Sequence, residues 1–155
     1  MSDNTEFLTF KPTSRSLGTL AAFVSQYQPF TEYDFGPVMK SLIYQLDNGT
    51  HAVAMNMDPI TGKPAQLAAY VGWIKTTSQV AETWLNNDGP LSMTPNEYDA
   101  VAVTILAAQD KRCMLGLIKH AKTLNQGKSV YWKRYFQDGR DPSNRSVVKR
   151  TDTTT

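Results

Sequence analysis

The chain has 155 residues, 41% of them hydrophobic, with nine glycines and eight prolines, a composition that fits one compact domain with its own core and excludes wholesale disorder. Its formal net charge of +2 conceals a division: residues 1–110 carry five basic groups against eleven acidic ones, net −6, whereas Lys111 to Arg150 carry eleven against two, net +9. The lone cysteine, Cys113, excludes an internal disulfide; the polar stretch Met1 to Glu6 does not read as a signal peptide, and no apolar run is long enough to span a bilayer, so a reducing cytoplasm is the expected setting.

Glu6 to Lys11 alternates as a first strand, with Phe7 and Phe10 inward, until Pro12 breaks it. Thr13 or Ser14 caps a helix whose Leu17, Leu20, Ala21, Val24 and Tyr27 share one face, and Pro29 closes it. A second helix opens at Gly36-Pro37, buries Val38, Met39, Leu42, Ile43 and Leu46, and ends at Asp47-Asn48-Gly49. His51 to Met57 and Gln66 to Ile74 read as antiparallel strands around the turn Asp58 to Pro64. A short helix over Thr77 to Leu85 ends in Asn86-Asn87-Asp88-Gly89-Pro90, and Thr94-Pro95-Asn96-Glu97 has the form of a capping box.

Ala100 to Ala108 is uncharged and apolar or β-branched throughout, the pattern of a strand covered on both faces. It runs through Gln109-Asp110 into an amphipathic basic helix, with Met114, Leu115, Ile118, Ala121 and Leu124 at helical spacing and Lys111, Arg112, Lys119 and Lys122 elsewhere. Unpaired N–H groups at such a helix start can hold a phosphate or pyrophosphate, so Gln109, Lys111, Arg112 and Cys113 are candidate cofactor-binding residues. The plainer alternative is an ordinary strand–helix unit with a solvated cationic face. Val130 to Phe136 forms another strand, Ser146 to Lys149 a last one, and residues 151–155 a polar tail after a single domain over 1–150.

Other chemistry has little support. Glu32/Asp34 and Glu97/Asp99 are acidic pairs that surface turns explain, and the two histidines, His51 and His120, have no spacing that suits zinc. Cys113 stands beside Lys111 and Arg112, which would lower a thiol pKa, although a buried structural thiol also fits. There is no Gly-x-Ser-x-Gly elbow and no Walker-type loop. Tyr131-Trp132-Lys133-Arg134-Tyr135-Phe136 interleaves aromatic and basic residues, which makes Tyr131, Lys133, Arg134 and Tyr135 candidate partner-binding residues. No recognised nucleic-acid signature accompanies them, so a protein partner is the expectation.

The order β, α, α, β, β, α, β, α, β, β predicts an α+β fold, a mixed and largely antiparallel sheet with helices on both faces. It is the order of the GNAT acyltransferase fold, in which the fourth strand leads into a pyrophosphate-binding turn and helix. More narrowly, Leu17-Gly18, then Gln28-Pro29-Phe30-Thr31, then Ala69-Tyr70-Val71-Gly72-Trp73 resemble the toxin-activating lysine acyltransferases that fatty-acylate RTX toxins. The resemblance covers most of residues 17–136 and implies a GNAT-like fold, an acyl-CoA or acyl-carrier-protein donor, and a lysine acceptor. Where that family has a histidine this chain has Thr31, and where it has an aspartate this chain has Val101 or Val103. Neither replacement can take a proton from an amine or orient a ring that does. Arg112 and Met114 stand where the usual turn has small residues. The sequence therefore carries two readings: an acyl-donor-binding acyltransferase with no assigned catalytic residue, or a non-catalytic relative that regulates another protein through its basic aromatic third.

Overall fold

The computed structural model describes residues 4–27, 30–87, 91–93, 98–132 and 149–152, the last group by their backbone. Among these residues six strands form one sheet in chain order: β1 (Thr5–Leu8), β2 (His51–Met57), β3 (Pro64–Thr76), β4 (Ala100–Ala108), β5 (Ser129–Trp132) and β6 (Lys149–Asp152). Every neighbouring pair is antiparallel except β4 and β5, which are parallel and joined through a helix. The expected α+β class with a mixed, mostly antiparallel sheet is therefore what the chain adopts. The predicted box at Thr94 to Glu97 and the continuation of the fifth strand to Phe136 lie outside the described residues.

Helix α1 (Ser14–Val24) starts where Thr13, in extended backbone, accepts the Ser16 N–H on its hydroxyl at 3.0 Å, satisfying one of the free donors of the first turn. Helix α2 (Phe35–Asn48) holds Pro37 in its first turn, where no intrahelical N–H is needed, and ends at Gly49, whose φ of 67° is the left-handed conformation that favours glycine. Helix α3 (Ser78–Asn87) follows β3 directly, with the Asp99 carboxylate accepting both the Ser78 N–H (2.9 Å) and its hydroxyl (3.1 Å). Helix α4 (Lys111–Leu124) makes the crossover between β4 and β5.

Two apolar layers sandwich the sheet. On one face Leu20 and Val24 of α1 and Leu42 and Leu46 of α2 pack on Val53, Tyr70, Ile105 and Ala107. On the other Leu117, Ile118 and Ala121 of α4 pack on Val71, Trp73, Val101 and Val103. Strands β3 and β4 are buried from both sides, which is why Ala100 to Ala108 can be apolar without a break. Gly116 lets α4 approach β1, since a Cβ there would lie 3.0 Å from Phe7 Cζ, and the Phe7 ring stacks on His120 at 5.2 Å.

Three expectations change. The first strand ends at Leu8, and Phe10 packs from the loop beyond it. On α4 the buried stripe runs through Leu117, while Leu115, about 200° round the helix from it, is exposed, as are Leu124 in the last turn and Ile43 on α2. Thr151 and Asp152 belong to the sheet, paired with Val130 and Ser129, and not to a tail.

Candidate functional site

At the end of β4 the chain passes from sheet to helix within two residues, Gln109 and Asp110. The Gln109 N–H donates to the Ala68 carbonyl at 2.9 Å, so β4 stays tied to β3 up to the turn. Asp110 caps α4: its Oδ1 accepts the Cys113 N–H at 2.8 Å, and that bond holds its carboxyl below the usual carboxylate range. One of the first-turn donors expected to face a phosphate is thus already held by the chain's own carboxylate. Gln109, Lys111 and Arg112 are exposed around it, and Lys111 to Leu124 contains no acidic residue. The Cys113 thiol is half-buried, and its pKa moves up, first through burial and then through the Asp110 hydrogen bond, against the lowering that Lys111 and Arg112 suggested.

Beside this junction the sheet is irregular in a defined way. Gly72 of β3 faces Ile105 while the next residue, Trp73, faces Val103, so Thr104 is an extra residue in β4. Its neighbour Val103 pairs with Trp132 of β5. From α2 the fully buried Gln45 reaches into the space Gly72 leaves empty: its Nε2 donates to Thr104 Oγ1 (2.8 Å) and its Oε1 accepts from the Tyr70 hydroxyl (2.5 Å). Burial pushes the Tyr70 phenol far above its ordinary value, so this donor stays protonated. The Gln45 main-chain carbonyl in turn accepts from Thr50 N–H and faces His51 Nδ1 at 3.1 Å.

His51 is therefore spent. Its Nε2 accepts the Phe10 N–H at 2.9 Å, which requires a lone pair there and places the ring proton on Nδ1, toward the Gln45 carbonyl. Burial lowers its pKa, so the ring is held neutral. No three His, Cys, Asp or Glu side chains come together around a possible metal among the described residues. Glu32, Asp34 and Asp99 are exposed, Thr31 sits exposed in the 3-10 turn Phe30–Glu32, and Val101 and Val103 are core residues facing α4.

The second candidate surface is corrected in part. Tyr131 is fully buried between α3 and β4, with its hydroxyl donating to Glu82 Oε2 at 3.0 Å, so it belongs to the interior and offers nothing to a partner. Lys133, Arg134 and Tyr135 lie outside the described residues. Trp132 is half-buried, with the Lys122 ammonium 5.2 Å from its ring centre.

No protein-family model matches the chain, and no curated protein matches it in sequence. Solved structures match it in three dimensions. A GNAT-family acetyltransferase from Streptococcus agalactiae superposes with a TM-score of 0.55 at 10% identity, over 89% of this chain and 80% of its own. The fold is GNAT-like. GphF, a GNAT-like decarboxylase solved in complex with isobutyryl-CoA, gives a TM-score of 0.60 at 10% identity over 83% of this chain and 65% of GphF. The loading GNATL domain of CurA from Lyngbya majuscula gives 0.56 at 12% identity over 89% and 70%. At these identities the likeness carries the fold alone and does not reach the narrower toxin-activating family.

The Gln45, Tyr70 and Thr104 network was not read from the sequence, although two signals were present. Gln45 sits at helical spacing among the buried Leu42 and Leu46, and Gly72 interrupts an otherwise apolar strand, which marks a bulge or a close approach.

Proposed function

We propose that the chain binds an acyl donor of the coenzyme A type along the end of β4 and passes the acyl group to an amine, with a lysine on another protein as the acceptor class. One observation carries the reading: β4 runs within two residues into α4, whose start lies under exposed Lys111 and Arg112 and which holds no acidic residue from Lys111 to Leu124. The GNAT-like fold and a relative solved with isobutyryl-CoA support the donor class. The cations and the remaining first-turn N–H groups would receive the donor phosphates. An acyl-carrier protein presents a thioester of the same kind and is the alternative carrier. No side chain is assigned as base: His51 is buried with both ring nitrogens engaged. No helix among the described residues is long and apolar enough to cross a membrane, and a reducing cytoplasm suits the lone thiol.

The test is a thermal-shift titration with CoA, acetyl-CoA and a long-chain acyl-CoA, followed by calorimetry on Lys111→Glu with Arg112→Glu. A ligand that binds only the native state raises its stability by about 2.7 kcal/mol at a hundred times Kd. A concentration-dependent rise that the double charge reversal abolishes is expected. No rise with any donor, or an affinity untouched by the reversal, sinks the placement. A second reading, a relative that transfers nothing and regulates a protein partner, is favoured by the Asp110 carboxylate, which sits on the helix start in competition with any phosphate.

A further inference from the structure

The hydrogen bonds through the Gln45 side chain run in one direction and stop at a hydroxyl with an unspent proton. Tyr70 donates to Gln45 Oε1, and Gln45 Nε2 donates to Thr104 Oγ1. Among the described residues nothing accepts the proton of Thr104 itself. Turning the Gln45 amide over would reverse the chain and strand the Tyr70 proton instead. Tyr70 is fully buried and Thr104 only half-buried, so the observed direction leaves the unused proton where desolvation costs less. Each donor in such a chain polarises the next, which makes the terminal O–H a stronger donor than an isolated threonine.

Thr104 also occupies a special place. It is the extra residue of the β4 bulge, and bulges re-aim side chains. Gln45 reaches it only because Gly72 has no side chain.

We infer that the Thr104 hydroxyl donates to the thioester carbonyl of the acyl donor, with Gln45 and Tyr70 as positioning residues. The inference rests on the donor site proposed above. As the amine nitrogen attacks the carbonyl carbon, the C–N bond forms and the carbonyl electron pair moves onto oxygen, where the Thr104 hydrogen bond strengthens. Collapse of that oxyanion breaks the C–S bond. The sulfur leaves with the bonding pair as a thiolate, which solvent protonates, while the proton of the attacking nitrogen passes to water.

The experiment compares acetyl-CoA with CoA, which lacks the carbonyl, by calorimetry on the wild type, Thr104→Val, Thr104→Ser and Gln45→Leu, each checked for folding by its thermal transition. Loss of one hydrogen bond predicts about tenfold weaker acetyl-CoA binding in Thr104→Val, with CoA unchanged. Thr104→Ser retains the hydroxyl and the affinity, and Gln45→Leu falls between. An unchanged ratio of the two affinities in folded Thr104→Val overturns the inference and leaves the donor site standing. A wild type that binds neither ligand overturns both. Should Thr104→Val not fold, the wild type decides alone: the Thr104 methyl resonance is expected to differ between its CoA and acetyl-CoA complexes, and identical resonances overturn the assignment.

Discussion

A methyl group added at Gly72 would meet the Gln45 side chain head on, with Oε1 at 1.8 Å, Cδ at 2.3 Å and Nε2 at 2.8 Å. The backbone there cannot retreat, because Gly72 is paired with His51 on one side and Ile105 on the other. In Gly72→Ala the glutamine must therefore leave its place. Forcing it elsewhere in a packed layer costs about 1–3 kcal/mol. Stranding the buried Tyr70 hydroxyl adds about 1–3 kcal/mol. A loss of about 2–6 kcal/mol follows, a large share of the stability of an ordinary domain. Gln45→Ala alone strands the same hydroxyl and opens a cavity, for about 2–4 kcal/mol.

The double variant separates this account from a general intolerance of the strand. With Gln45 truncated, the new methyl enters vacated space and relieves the entropy that a glycine spends in a strand, about 0.5–1 kcal/mol. Gly72→Ala should then be neutral or stabilising in the Gln45→Ala background, a coupling of about 2 kcal/mol or more between the two positions. Urea unfolding of the four proteins with a common m value measures it. Changes that add to within about 0.5 kcal/mol would show that Gln45 does not fill the space over Gly72.

Burial lowers the His51 pKa from its ordinary 6.5, so neutral His51 stabilises the fold in full above that value. Stability should fall as the pH drops from there toward the folded pKa, at no more than about 1.4 kcal/mol per pH unit for one proton, and then level off. Urea unfolding from pH 8 to 5 checks this against His51→Gln; parallel wild-type and variant profiles refute it. Asp110→Asn keeps a cap on α4 and removes the charge that competes with donor phosphates, so CoA should bind more tightly by calorimetry; weaker binding means that the carboxylate is no competitor. Tyr131→Phe removes the hydrogen bond that its hydroxyl gives Glu82 Oε2 and should cost about 1 kcal/mol in thermal or urea unfolding; a more stable variant contradicts the interior role of this tyrosine.

What was legible in the sequence was whatever short-range physics decides. The apolar run Ala100 to Ala108, the Pro37 start and Gly49 stop of α2, and the turn between Asp58 and Pro64 each depend on residues within a few positions of one another, and each element stands where the pattern puts it. The misplacements arise where a distant partner decides. Leu115 fits a helical stripe as well as Leu117 does until β3 and β4 fix which side of α4 faces the sheet. Thr151 and Asp152 have the composition of a tail and become strand because β5 offers them an edge. Tyr131 is a candidate partner-binding residue by its aromatic and basic surroundings, but Ala81, Leu85 and Ala100 close over it.

The candidate site divides in the same way. Its outer half, the turn from Gln109 into α4, is contiguous in sequence and was read directly, except that the Asp110 side chain was not credited with occupying the helix start. Its inner half joins positions 45, 70, 72 and 104, and no local rule links them. β4 connects the halves: the bulge at Thr104 bends the strand, and the Gln109 bond to Ala68 anchors its far end to β3. A donor lying along this strand would have its thioester placed by Thr104, which Gln45 of α2 holds, and its phosphates placed by α4. The two helices cover opposite faces of the sheet, with β2, β3 and β4 between them. Core substitutions at Gln45 or Gly72 would thus alter donor recognition without touching a surface residue, whereas changes at Lys111 or Arg112 would alter the affinity for CoA and acyl-CoA alike.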